Sequence, residues 1–164
     1  FLFSIQQTTD GGYILGGYSD SGISGDKTEA SQSLKDYWIV KLNGAGNIIW
    51  QNTIGGNNED YLSSIQQTTD GGYILGGYSA SGISGDKTEN LYGASDYWIV
   101  KLDSSGNIDW QNTIGGDTDD YLYSIQQTAD GGYILGGYSR SGISGDKMEA
   151  NLGPSITTDY WVIK

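Results

Sequence analysis

Apolar residues in this chain come in short runs of six to eight, divided by turns rich in Gly, Asp and Asn. In the middle of the chain the runs are 61–68, 73–79, 97–102 and 108–114. Runs of that length, rich in Tyr, Trp, Ile and Val, read as strands. Between the first two, Asp70-Gly71-Gly72 signals a tight turn, because Gly supplies the positive φ a hairpin needs. The segment 103–107 joins the third and fourth runs, and a long loop, 80–95, separates the second from the third. Trp98, Ile99 and Val100 stand in succession, which suits a strand covered on both faces. The fourth run alternates, with Ile108, Trp110 and Ile114 on one side. Asp109 occupies the place that Ile49 holds earlier, so its other side is wet and the strand is an outer one.

The same set of runs is written nearly three times. Ser-Ile-Gln-Gln-Thr begins at Ser4, Ser64 and Ser124, a period of 60 residues. The units are 1–60, 61–120 and 121–164, the last lacking its fourth strand. A fixed period makes the repeat the structural unit, with neighbours burying each other's apolar surface. Four hairpin-linked antiparallel strands per unit describe a β-propeller blade. The expectation is an all-β chain of about 2.75 blades, eleven strands in all. A parallel β-solenoid is the main rival, but its coils are shorter and Asp-Gly-Gly hairpins favour antiparallel pairing. Eleven strands do not close a propeller ring of at least four blades, so an open arc, a piece of a longer chain or a ring shared between copies is expected. Phe1 aligns with Tyr61 and Tyr121, and Phe1-Leu2-Phe3 does not read as a signal peptide, so the chain reads as starting inside a longer protein.

Composition narrows the function classes. Gly numbers 27 and apolar residues are 36%, so Tyr (13) and Trp (5) must supply much of the core volume. Net charge is −12, which repels nucleic acid and anionic membranes, and no apolar run reaches membrane-spanning length. With no Cys and no His, disulfides, thiolate metal sites and a Ser-His or Cys-His mechanism are absent. The carboxylates lie in repeated turns, so catalysis by this segment is not expected.

Ser-Ile-Gln-Gln-Thr-Thr-Asp-Gly-Gly-Tyr-Ile-Leu-Gly-Gly-Tyr-Ser, then Asp-Tyr-Trp-Ile-Val-Lys-Leu, then Gly-Asn-Ile-Xaa-Trp-Gln-Asn-Thr-Ile-Gly-Gly, resembles tandem repeats of large secreted Bacteroidetes proteins, many ending in a type IX secretion sorting domain. The same words look like relatives of the delta-60 repeat group. The resemblance spans essentially the whole chain and implies a secreted or cell-surface bacterial propeller. The stretch 102–110, closing at Gly115-Gly116, is similar to the tryptophan-docking motif of quinoprotein dehydrogenases; the copy at 42–50 has Asn43 where that motif has Asp. That similarity implies that Trp50 and Trp110 pack between blades. The catalytic Asp and calcium ligands of that family have no match. The strand order also resembles a WD40 blade without its Gly-His and Trp-Asp pairs.

Within the long loops, Asp26 and Glu29, Asp86 and Glu89, and Asp146 and Glu149 are carboxylates three apart. With nearby hydroxyls and carbonyls they are candidate calcium ligands, set against a structural role in loop folding. Asp117 and Asp119, in the densest acidic loop, are weaker candidates. Gln6-Gln7 and their repeat mates offer amides to a sugar, a water network or their own sheet. The second half of each long loop varies most between repeats, which is where recognition is usually placed. Leu91, Tyr92, Asn151 and Pro154 are the candidate ligand-binding residues there. The leading expectation is a non-catalytic segment binding a glycan or a protein at a cell surface. An assembly unit that completes a ring with other copies of itself is the second, and a degenerate quinoprotein oxidoreductase the third.

Overall fold

The computed structural model describes residues 1–153 and 157–164. Eleven strands follow in order among these residues, with no helix: β1 (Leu2–Gln7), β2 (Tyr13–Ser19), β3 (Asp36–Leu42), β4 (Ile48–Ile54), β5 (Asp60–Gln67), β6 (Tyr73–Ser79), β7 (Asp96–Leu102), β8 (Ile108–Ile114), β9 (Asp120–Gln127), β10 (Tyr133–Ser139) and β11 (Asp159–Ile163). They form three antiparallel sheets, β1-β2-β3-β4, β5-β6-β7-β8 and β9-β10-β11. Strand positions match the apolar runs to within about a residue, because each run ends at a residue that prefers a turn.

The hairpin between β5 and β6 shows the local cause. Gly71 has φ of +84°, the Thr68 N–H donates to the Gly72 carbonyl while the Gly71 N–H donates to the Thr68 carbonyl, and the Asp70 carboxylate accepts from the Gly72 N–H. The buried Lys101 of β7 reaches back to Asp70 at 3.0 Å. Lys41 and Lys164 make the same reach to Asp10 and Asp130. A lysine is thus tolerated in a strand interior because its ammonium finds a carboxylate at the sheet end.

The sheets stack face to face, first on second and second on third. One core holds Ile14, Tyr37, Ile39 and Ile54 from the first sheet against Leu62, Ile65, Leu75, Trp98 and Val100 from the second. The other sets Ile74, Tyr97 and Ile99 against Leu122, Ile125 and Leu135. All of β7 is buried, as a doubly covered strand should be, whereas β11 is half-buried to exposed throughout. The Gly-Gly pair in β6 fits two different neighbours: a Cβ on Gly76 would lie 2.7 Å from Leu122, and one on Gly77 would strike the Tyr61 carbonyl. The first glycine therefore permits sheet-to-sheet approach and the second permits the bulge of β5 at Ser63.

Polar bonds repeat at each junction. Gln6 Oε1 accepts from Gln67 N at 2.7 Å, and Gln66 Oε1 from Gln127 N at 2.8 Å. Gln67 Oε1 and Gln127 Oε1 in turn accept from Thr9 N and Thr69 N. The Tyr37 hydroxyl donates to Trp98 O and the Tyr97 hydroxyl to Trp161 O, across the same two junctions. The glutamine pairs thus stitch one sheet to the next. Trp50 packs on the Tyr73 ring at 5.6 Å and under Gly106 of the second sheet, as a docking tryptophan would. Trp110 reaches Tyr133 at 5.8 Å and stays 41% exposed.

Candidate functional site

The two ends of the stack differ in chemistry. One end carries only the short turns 8–12 and 43–47 and their repeats. The other gathers the long β2–β3 type loops and the acidic β4–β5 type loops, so the varied residues meet there.

Four of the six repeated carboxylates of that end accept from the backbone. Glu29 accepts from Thr53 N at 2.7 Å and Glu89 from Thr113 N at 2.5 Å, each tying its loop to its own outer strand. Asp86 and Asp146 reach into the preceding sheet and accept from Gly55 N and Gly115 N. Gln32 also donates to Asp86, so the first loop clasps the second. Asp26 and Glu149 are exposed, and the Asp26 carbonyl accepts from Gln51. Asp117 accepts from Gly142 N and Ser144 Oγ, and Asp119 pairs with Arg140 at 3.1 Å. Among the described residues no three acidic side chains converge as a metal-holding group. Glu29, Glu89, Asp86 and Asp146 thus accept from separate backbone amides, while Asp26 and Glu149 stay on the surface.

Four aspartates lie deeper. Asp36, Asp60, Asp96 and Asp120 are fully buried where the strands meet the loops. Asp60 accepts from Gly56 N and Ser81 Oγ, and Asp120 likewise from Gly116 N and Ser141 Oγ. Each keeps one oxygen without a hydrogen bond. Burial pushes Asp60 and Asp96 up to about 6 against their hydrogen bonds, which act the other way. The buried Lys87 lies near both Asp60 and Asp96, and its ammonium sits 5.5 Å from the Trp98 ring. Asp60 and Asp120 are the one acidic residue that the two short loops share unchanged, a match that in sequence suggests a repeated structural hydrogen bond, whereas Asp36 and Asp96 carry no such signal beyond recurring at the head of each third strand.

The ligand-binding candidates separate. Leu91 and Tyr92 line a surface hollow of about 370 Å³ with Glu89, Asn90, Asn112 and Thr113. Tyr92 is 54% exposed, while its backbone N–H is held by the buried Asp96 at 2.5 Å. Its ring also lies against Gly145 of the next loop. Asn151 is half-buried and its amide clamps its own loop, donating to Ser139 O and Thr157 O. Pro154 lies outside the described residues.

An aromatic row was not foreseen. Phe1, Tyr18, Tyr61, Tyr78, Tyr121 and Tyr138 run unbroken across all three sheets near the long-loop end, with successive centroids 4.4–5.1 Å apart. Phe3 and Tyr123 project beside it at 58% and 54% exposure. The Lys35 ammonium sits 4.8 Å from the Tyr61 ring and bonds both Glu59 and the Tyr61 hydroxyl. Partly exposed rings beside tyrosine hydroxyls, a carboxylate and one cation can hold a ligand by stacking and hydrogen bonding. The signal was present in sequence as aromatics at 1, 61 and 121 and at 18, 78 and 138. No protein-family model matches the chain, and a search of curated proteins found no match.

Proposed function

We propose that the chain is a non-catalytic β-propeller segment that recognises a glycan or a protein partner at its long-loop end. The observation that carries this reading is the aromatic row, which lies on the same end as the varied loops and the Tyr92 hollow. Aromatic faces pack against the C–H faces of sugar rings while neighbouring polar groups take the hydroxyls, so the row favours a glycan. The repeated carboxylates support a binding role over catalysis, because backbone amides and serine hydroxyls occupy most of them. Three like sheets stacked in one direction support blades of a propeller. In this reading the protein works at the surface of a bacterium or outside it, as the repeat resemblance implies.

The test is affinity electrophoresis through gels carrying neutral polysaccharides. Retardation by one class, reduced in Tyr123→Ala and in Tyr92→Ala, is the expected result. Equal mobility with and without every polysaccharide, for the parent chain and both variants, would sink the glycan reading.

A further inference from the structure

The outer faces of the first and third sheets are the two halves of an interface already made twice within the molecule. On the first sheet, Leu2 and Ile5 are 59% and 61% exposed, while their repeat mates Leu62 and Ile65 are 1% and 4% exposed. Leu2 also lines an apolar hollow of about 400 Å³ with Leu15, Trp38, Val40 and Leu42. The mates of those four, Leu75, Trp98, Val100 and Leu102, are fully buried against the first sheet. On the third sheet, Ile134, Tyr160 and Val162 are exposed at 40%, 86% and 54%. Their mates Ile74, Tyr97 and Ile99 are buried against the third sheet itself. The glycines agree. Gly16 and Gly76 each receive a leucine and an isoleucine of the next sheet, while Gly136 has nothing within 4 Å.

We infer that a second copy of this chain docks head to tail, the third sheet of one copy covering the first sheet of the other. In that contact Leu2 and Ile5 enter the space over Gly136, and Tyr160 donates to the Trp38 carbonyl as Tyr37 does to Trp98. Gln126 receives the Gln7 N–H as Gln66 receives that of Gln127. The internal junctions supply the register, so the occupant is specified by continuity with an interface already present. A head-to-tail contact either closes or grows. Resting on the propeller reading above, two copies close, since three sheets each give six blades, within the usual range of about four to eight. Each copy carries −12, so association strengthens with salt as repulsion is screened.

Sedimentation equilibrium tests this, using the parent chain, Ile5→Asp and Val162→Asp. Both replaced side chains are more than half exposed, so the variants fold, and far-UV circular dichroism checks that they do. The parent is expected to have twice the monomer mass, more so at high salt. Each variant alone is expected to be monomeric. An equal mixture of the two is expected to recover a one-to-one complex, because one intact head then meets one intact tail. A parent that stays monomeric at high concentration overturns the docking, as does a variant that dimerises by itself. A ladder of higher masses overturns closure by two copies. Glycan binding is read separately: a parent that is retarded yet stays monomeric defeats only the docking, and a parent that dimerises without being retarded defeats only the recognition reading.

Discussion

Ile65 and Ile5 are the same residue at the same place in the repeat, yet one is 4% exposed and the other 61%. Their local sequences, strands and hairpin turns are alike. The difference is that Ile65 has the first sheet beneath it, while no other sheet among the described residues lies over Ile5. Burial at this position is thus a property of the junction between sheets rather than of the strand. The same holds for Tyr97 and Tyr160, and for Gly76 and Gly136. The molecule therefore contains its own control for these contacts between sheets.

The largest expected effect separates those isoleucines. Ile65→Ala should cost about 2–5 kcal/mol in urea denaturation, as lost transfer and a cavity combine. Ile5→Ala, measured at concentrations where the chain is monomeric, should stay within about 0.5 kcal/mol. Equal losses would break the comparison. Gly76→Ala comes next, at about 1–3 kcal/mol, because the added methyl meets Leu122 and Ile125 in a filled junction. Gly136→Ala has open space and should be close to neutral by the same measurement.

A pH series sharpens the contrast between buried and exposed aspartates. Burial holds Asp60 and Asp96 at about 6, above the ordinary 3.8. The native state thus keeps protons that the unfolded chain releases between about pH 4 and 6, and stability falls as pH rises through that window. The exposed turn aspartates act oppositely. Asp70 and Asp130 are lowered to about 2, first by their hydrogen bonds from Thr68 and from Lys164 respectively, so their contribution is lost as pH falls from about 4 through 2. Thermal midpoints should therefore peak near pH 4–5. Asp60→Asn should flatten the decline towards neutral pH, recovering on the order of 2 kcal/mol there. A variant that keeps the parent's slope would show that Asp60 is not its source. The smallest effect belongs to Lys35, whose partly exposed pair with Glu59 should lose only about 0–1 kcal/mol in Lys35→Ala.

Most of the strand map was legible because turn residues punctuate it, and the doubly covered third strand was legible from Trp98-Ile99-Val100. Leu91 and Tyr92 were found from variation between repeats and do share a hollow. The aromatic row was hidden by one residue. Counted outward from the Gln67–Tyr73 pair without interruption, Tyr61 falls opposite Ser79 and points away from Tyr78. The bulge at Ser63 shifts the register so that Tyr61 lies opposite Tyr78 and the two rings stack. Nothing in the periodicity of the run announces that bulge. The loop carboxylates were legible as a repeated pattern but not as hydrogen-bond acceptors, since their partners Gly55, Thr53, Gly115 and Thr113 lie 24–31 residues away.

By itself the sequence determined the 60-residue unit, its strands and hairpins, and the identity of the residues that meet at each junction, because these follow from local turn chemistry and from exact repetition. Only the tertiary structure decided which copies of those residues are covered, how the bulges align the aromatic rings, and which carboxylates are committed to the next sheet. Those outcomes depend on a neighbour's position in space, and three repeats of nearly one sequence have two junctions and two bare ends that no local pattern distinguishes.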